Sequence, residues 1–402
     1  MIAEQYRKML DAKSVIRQLS EKATKRAQII GAENVFDYSL GNPSVPAPAE
    51  FKQALLDLIE KEDPMTLHGY SPTLGIPSVK TAIAESLNCR FDMNYGPEPD
   101  TISYLLKQGA TIAEAAIAHA LRAVTVPGDE VLTFAPFFPE YHPYVDLTGA
   151  VLKVVPADTK SFQINFEAFE EMLGPRVAAV LVNTPNNPSG AVYSAETLTK
   201  LAEVLTRKAE QYGHDIFLIS DEPYREIVFD GKQQPYVSKF YANTISCYSF
   251  SKALSLPGER IGYLAVNPAC PYAAEIVNMC GQISRGIGHN CPTSLMQLAV
   301  SKVLDLTSDF SVYEKNRNLL YECLTDCGFE VVKPEGTFYI FPKAPEADAA
   351  AFCQKALQYD LVLVPADSFG CPGYFRMAYC IDTEKVERSL PVLRKMMKEI
   401  YG

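Results

Sequence analysis

The chain has 402 residues, 48% hydrophobic and 21% charged, with a formal net charge of -11. Such a composition belongs to a folded globular protein, and its acidity argues against a dedicated nucleic-acid binder, which needs a basic face. The length exceeds one ordinary core of about 100–200 residues, so two domains are expected.

The N-terminal stretch "MIAEQYRKMLDAKSVIRQLSEKATKRA" mixes acids and bases and lacks the apolar centre of a signal peptide. Met9, Val15, Ile16 and Leu19 recur near a period of 3.6, which predicts helix over residues 1–35. "FDYSLGNPSVPAP" then reads as an extended segment or loop, because Gly and Pro interrupt it. From about residue 50, helical patterns alternate with short apolar runs. "EVLTFAP", "AVLKVVPA", "RVAAVLVNTP", "DIFLISDE", "TISCYSFS" and "RIGYLAV" have the length of strands buried on both faces. Between them lie stretches such as "SAETLTKLAEVLTRKAEQYG", where Ser194 is placed to cap a helix. This alternation predicts an α/β fold with a mainly parallel sheet covered by helices. Beyond residue 290 a long helical region, "TSLMQLAVSKVLDLTSDFSVYEKNRNLLYECLTDCG", leads into "GTFYIFP", "LVLVPA" and "YFRMAYC". That change of rhythm predicts a smaller α+β domain. The expected division is 46–290 for the large domain and 1–45 with 291–402 for the small one.

No stretch approaches the ~18 consecutive apolar residues of a membrane span. The 10 cysteines are scattered, the closest pair being Cys323 and Cys327, with no CxxC. This usage predicts reduced thiols and a cytoplasmic protein. None of the five histidines, at 68, 119, 142, 214 and 289, has metal-ligand spacing, so no metal site is expected.

The chemistry-bearing stretches fall at strand ends, where open α/β sheets bind ligands. In "YSFSKALSLPGERIGYLAV", Lys252 stands between Ser249, Ser251 and the later Arg260. A lysine on a partly dry sheet edge suits a Schiff-base amine, and hydroxyls with an arginine suit a phosphate monoester. A surface lysine beside an arginine that joins two strands fits the same residues. In "DIFLISDEPYREIVFDG", Asp221 follows five apolar residues and needs a cationic partner if buried, as a protonated pyridine nitrogen would be. Tyr224, three residues on, could hydrogen-bond that ring's hydroxyl; a helix cap with a packed tyrosine is the plain alternative. Asn187 sits in the stiff turn of "VNTPNNPSG", where backbone demands alone can explain Asn, Pro and Gly. Gly109, Ala110 and Thr111 open a helix whose free N–H groups could cradle a phosphate, although neither GxGxxG nor GxxxxGK[ST] is present. Phe138, in "FAPFFPEYHPY", could stack on a flat ring or simply fill core.

Taken together, "YSPTLGIPSVKTAI", "NTPNNPSG", "ISDEPYREIVF", "SFSKALSLPGERIGY" and "FRMAY" resemble, in order and over nearly the whole chain, the class I aminotransferases. These are pyridoxal-5'-phosphate-dependent enzymes of fold type I, similar to aspartate aminotransferase. The resemblance implies a seven-stranded, mainly parallel sheet sandwiched by helices in the large domain. It implies that Lys252 forms the internal aldimine and acts with Asp221, which pairs with the pyridine nitrogen. Tyr224 and Asn187 would contact the ring hydroxyl. Ser249, Ser251, Arg260 and the Gly109–Ala110–Thr111 helix start would hold the phosphate, and Phe138 would stack on the ring. Tyr70 in "HGYSPTLG" matches a tyrosine that reaches the phosphate of the neighbouring subunit, which implies a homodimer. Arg376 matches the arginine that clamps the substrate α-carboxylate; Gly41 matches a glycine on the loop above it. The partners implied are a small amino acid and a 2-oxo acid, with 2-oxoglutarate the expected acceptor in ping-pong turnover.

One departure bears on substrate. In related bacterial aspartate aminotransferases a lysine at the helix-start motif contacts the distal carboxylate, and here that position is Thr111. Lys107 and Arg285 are candidate substitutes, with a plain surface salt bridge the alternative for either, so alanine and aromatic substrates stay open beside acidic ones. The same scaffold also serves C–S lyases and aminocyclopropane-carboxylate-synthase-like enzymes, the alternative reading of activity. A ligand-sensing regulator is disfavoured, because only a short helical stretch precedes the family's start.

Overall fold

The computed structural model describes residues 7, 14–96, 102–104, 112–289 and 291–402, apart from the side chains of 102–104 and 112–114. Its strands, in chain order, are β1 (Phe36–Asp37), β2 (Ile102–Tyr104), β3 (Glu130–Phe134), β4 (Val151–Val155), β5 (Val177–Asn183) and β6 (Phe217–Asp221). There follow β7 (Thr244–Ser249), β8 (Gly262–Val266), β9 (Tyr339–Ile340), β10 (Leu361–Val362), β11 (Val364–Pro365) and β12 (Phe375–Ala378). The chain divides into two compact units. One comprises residues 1–44, 187–190 and 311–402; the other comprises 45–186 and 191–310.

The larger unit is built on a seven-stranded sheet of order β2-β8-β7-β6-β5-β3-β4. Strands β3 to β7 run parallel, as the strand–helix alternation predicts, while β8 is antiparallel to both β7 and β2. The reversal follows from the link between β7 and β8: after one helical turn the chain returns directly, without the crossover helix that a parallel partner requires.

The continuous apolar runs have a direct cause. Ala179 and Leu181 of β5 enter one core with the helices Ile112–Val124 and Ala273–Gly286, while Val180 and Val182 enter the opposite core with the helices Phe166–Met172 and Ala195–Tyr212. Successive side chains on a strand point to opposite faces, so a strand covered on both sides must be apolar at every position. Each fully buried large aliphatic or aromatic side chain there is worth about 1.5–3 kcal/mol. Ser194 caps the helix Ala195–Tyr212 by accepting the Thr197 N–H at 3.0 Å, and Gly213 ends it at φ 72°. A third core joins the helices Ala49–Lys61, Pro77–Phe91 and Ser294–Val300 to Tyr248, Phe250 and Tyr263.

The region beyond 290 is not one helix. Helices span Ser294–Val300 and Ser311–Asp326. Between them Val303 is buried in the third core, and the Ser308 N–H donates to Ala253 O at 2.9 Å. These contacts keep residues 301–310 with the larger unit, which therefore extends past residue 290.

The smaller unit is α+β. A three-stranded antiparallel sheet of order β11-β12-β9 and a parallel pair of β1 with β10 are accompanied by the helices Val15–Ile30, Ser311–Asp326, Ala349–Leu357 and Thr383–Tyr401. "LVLVPA" forms two strands rather than one, because Leu361–Val362 pairs with β1 and Val364–Pro365 with β12. Tyr38, Tyr313, Phe338, Phe341 and Tyr379 are wholly buried in this unit.

Candidate active site

The larger unit gathers its polar residues at the carboxyl ends of β5, β6 and β7. Asp221 ends β6 and is buried, with Asn183 of β5 and Cys247 of β7 as its register partners. The Tyr141 hydroxyl donates to Asp221 Oδ2 at 2.6 Å. The Asn183 amide donates to Asp221 O at 3.0 Å and reaches Oδ2 at 3.4 Å. Burial first, and the neighbouring Asp221 carboxylate second, push the Tyr141 hydroxyl well above the ordinary tyrosine range, so it stays a protonated donor. Phe138 is half-buried and meets the Tyr141 ring edge-on at 5.9 Å, so Phe138 and Asp221 share one neighbour. Tyr224 is buried three residues beyond Asp221.

The turn carrying Asp221 and Tyr224 is anchored by Arg225, itself buried. Its guanidinium donates to Glu222 at 3.1 Å, to Glu226 at 3.1 Å and to the Tyr263 hydroxyl at 3.1 Å, and lies 4.1 Å from the Tyr248 ring centre. Burial raises Glu222 despite Arg225 beside it. Burial acts on Glu226 too, but Arg225 and Arg90 outweigh it and leave Glu226 below the carboxylate range.

Ser249 closes β7 and caps the helical turn Phe250–Ala253 that bears Lys252. Its Oγ accepts the Ser251 N–H at 3.1 Å and donates to Ser251 Oγ at 2.7 Å. Both serines are buried, and Lys252 is half-buried. The spacing of Lys252 and Arg260 has its reason here. Ser249 pairs with Gly262, and the Phe250 N–H donates to Ile261 O at 3.1 Å, which brings the start of the Lys252 turn beside the residue that follows Arg260. Arg260 stands at φ 53° and donates to Pro257 O at 2.6 Å. A non-glycine residue held in the left-handed region costs energy and is found where the surroundings demand it. Two buried hydroxyls and a guanidinium thus share one hairpin, a donor set suited to a phosphate. The strand-end carboxylate suits a cationic ring nitrogen.

In the smaller unit, Arg376 on β12 is buried at 2% exposure. Its Nη1 donates to Asn187 Oδ1 at 3.1 Å, its Nη2 donates to Ser39 O at 2.5 Å, and the guanidinium carbon lies 4.5 Å from the Tyr339 ring centre. Asn187 therefore belongs with Arg376 in this unit. A side chain at Gly41 would run into the Tyr339 hydroxyl and come within 2.7 Å of its Cζ. Any larger residue there would require the Tyr339 side chain to move.

Tyr70 is 97% exposed, although its neighbours are pinned: Gly69 O accepts from Ser294 Oγ at 2.8 Å, and Ser71 Oγ donates to Pro292 O at 3.0 Å. Arg285 is exposed in the last turn of the helix Ala273–Gly286. Gly109, Ala110, Thr111 and Lys107 lie outside the described residues. Among the described residues, no group of acids, histidines and cysteines could hold a metal, and no helix is long and apolar enough to cross a membrane.

Tyr141 and Asn183 are the site residues that sequence reasoning passed over. Asn183 carries the same signal as Asp221, a polar residue ending a buried apolar run. Tyr141 has no such signal, since it reaches Asp221 only through the packing of a helix onto the sheet.

Residues 33–393 match the family model "Aminotransferase class I and II". The chain belongs to this family. Its members depend on pyridoxal phosphate, and this protein is an aminotransferase. A probable aspartate/prephenate aminotransferase of Aquifex aeolicus is 30% identical over 388 residues, 91% of this chain and 92% of its own. Aromatic-amino-acid aminotransferase 2 of Thermococcus litoralis is 29% identical, with 92% and 93% covered. A crystal structure of an aminotransferase from Eubacterium rectale superposes with TM-score 0.95 at 43% identity, covering 100% of both chains. The fold-type-I architecture expected from the motifs is that of these aminotransferases.

Proposed function

We propose that the protein transfers the amino group of an L-amino acid to a 2-oxo acid, with 2-oxoglutarate as acceptor, in two half-reactions that share one site. The observation that carries this reading is the pairing, within one unit, of the buried Asp221 with the Ser249–Ser251–Lys252–Arg260 hairpin. Bound pyridoxal phosphate supplies an electron sink for the negative charge left when a proton leaves the substrate's Cα. Every other role falls to this chain. Ser249, Ser251 and Arg260 hold the phosphate, with Gly109, Ala110 and Thr111 of the helix start. Lys252 holds the cofactor covalently and, once released, carries the proton to and from the substrate's Cα. Asp221 keeps the ring nitrogen protonated, Phe138 packs on the ring, and Tyr224 with Asn187 bonds the ring hydroxyl.

Arg376 binds the α-carboxylate. Asn187 and Ser39 each take one of its N–H groups, which fixes the plane of the guanidinium for a two-pronged contact. Gly41 and Arg376 both approach Tyr339, Gly41 at its hydroxyl and Arg376 over its ring, and we assign Gly41 to the loop above the arginine.

The enzyme acts as a homodimer in which Tyr70 completes the neighbouring subunit's phosphate site. The exposure of Tyr70, between neighbours pinned by Ser294 and Pro292, leaves its ring open to a partner subunit. We place it in the cytoplasm, consistent with ten free cysteines.

A panel of aspartate, aromatic and alanine donors with 2-oxoglutarate tests the reading and reports whether acidic substrates are accepted despite Thr111. Glutamate should form in step with the donor's oxo acid, and each half-reaction should run alone. Lys252→Ala should lose at least about 10³-fold in turnover. Release of ammonia or thiol without glutamate would favour the lyase alternative, and unchanged turnover in Lys252→Ala would remove catalysis from this hairpin.

A further inference from the structure

We infer that Tyr141 is a positioning residue of the reaction: its hydroxyl holds Asp221 in the ionised, fixed form that sets the charge of the cofactor ring. The inference rests on the assignment of Asp221 just proposed and goes beyond it, since it concerns a residue that meets neither cofactor nor substrate in that assignment.

The observations converge on Asp221 Oδ2. Tyr141 donates to it at 2.6 Å, the short length of a hydroxyl on a charged acceptor. The Asn183 amide approaches the same oxygen at 3.4 Å. Tyr141 is wholly buried at the start of the helix Tyr141–Asp146, and its ring is fixed by Phe137 at 6.4 Å and Phe138 at 5.9 Å. Other titratable groups face this pair: Tyr144 and Tyr224 bear on Tyr141, and Cys247 lies beside Asp221, with Glu222 and Cys280 near that thiol. Burial leaves Tyr141 and Cys247 protonated, so both face the carboxylate as neutral groups, and Tyr141 does so as a hydrogen-bond donor.

A hydrogen bond to a carboxylate lowers its proton affinity. Without the hydroxyl, Asp221 draws the proton it shares with the ring nitrogen toward itself. The ring becomes less positive, and the nitrogen of Lys252 bound to the cofactor keeps its proton to higher pH.

The test is the visible absorbance of the cofactor-loaded protein titrated with pH, for wild type and Tyr141→Phe, with cofactor dissociation measured alongside. Phenylalanine keeps the ring and its aromatic neighbours. The expected result is an upward displacement of the apparent pKa by about 0.5–1 unit, with a fall of about tenfold in kcat/KM. Asn183→Ser should move the pKa the same way by less, and it serves as the second variant if Tyr141→Phe does not fold. In an Asp221→Ala background, Tyr141→Phe should add no further displacement, since the effect runs through that carboxylate. An unmoved pKa in a loaded Tyr141→Phe protein, or an equal displacement in the Asp221→Ala background, overturns the inference. A wild-type protein whose absorbance does not change when Lys252 is replaced overturns the underlying assignment instead.

Discussion

Replacing Arg225 by methionine isolates the contribution of the ion cluster under the Asp221–Tyr224 turn. The substitution keeps an unbranched side chain of similar reach but removes a buried charge that donates to Glu222, Glu226 and Tyr263. Among the described residues, Glu226 then keeps Arg90, which donates to it at 3.0 Å. Glu222 keeps the Ser246 hydroxyl at 3.0 Å. Removing one partner of a buried pair costs about 3–5 kcal/mol, because the other is left charged in a poor solvent. With Arg90 and Ser246 in place the lower end applies, about 3 kcal/mol at pH 8.

The loss depends on pH, and its sign follows from the two glutamates. Glu226 is held below its ordinary value by Arg225 and Arg90 against burial, so it stabilises the fold above the unfolded carboxylate pKa and loses that effect as pH falls. The variant forfeits much of this contribution. Glu222 is already raised by burial, and without Arg225 it rises further; a raised carboxyl favours the fold at low pH and loses that as pH rises. Both effects make the variant's deficit larger at pH 8 than at pH 5. Urea unfolding followed by far-UV circular dichroism, at both pH values, measures it; there is no tryptophan to follow. Adding Glu222→Gln should recover part of the loss by removing one stranded charge. A deficit under about 1 kcal/mol, or one equal at both pH values, would refute the picture of a buried charge cluster.

Two further substitutions probe the other elements. Gly190→Ala should cost about 2–4 kcal/mol in urea unfolding, since Gly190 stands at φ 72° and a Cβ would lie 2.5 Å from Pro334 Cβ and 3.0 Å from Tyr339 O. Gly174→Ala, with nothing within 4 Å of the new atom, should stay within about 0.5 kcal/mol. Tyr70→Ala should leave the unfolding midpoint of the cofactor-free chain unchanged while weakening cofactor retention by roughly 10–100-fold, the worth of one hydrogen bond to a charged group. A fully active monomer by sedimentation would contradict a shared site.

The strand–helix alternation was legible in the chain because it depends on local rules, and the family was legible from the resemblance of five ordered motifs. Apolar runs mark strands covered on both faces. A polar residue that ends such a run, as Asp221 does, must be placed at a strand's carboxyl end. Ser249, Ser251, Lys252 and Arg260 could be grouped by spacing alone, since a short return between β7 and β8 leaves little freedom in register.

Tertiary structure decided what depends on segments distant in sequence. It ended "LVLVPA" as two strands, because β1 and β12 compete for neighbouring residues of one run. It broke the helical region after residue 300, where Val303 found a buried place in a core begun 250 residues earlier. It set Tyr141 on Asp221 across 80 positions, and Arg376 on Asn187 across 189. Periodicity reports which face of an element is buried. It carries no record of which distant side chain will meet it there, and the hydroxyl on Asp221 is such a meeting.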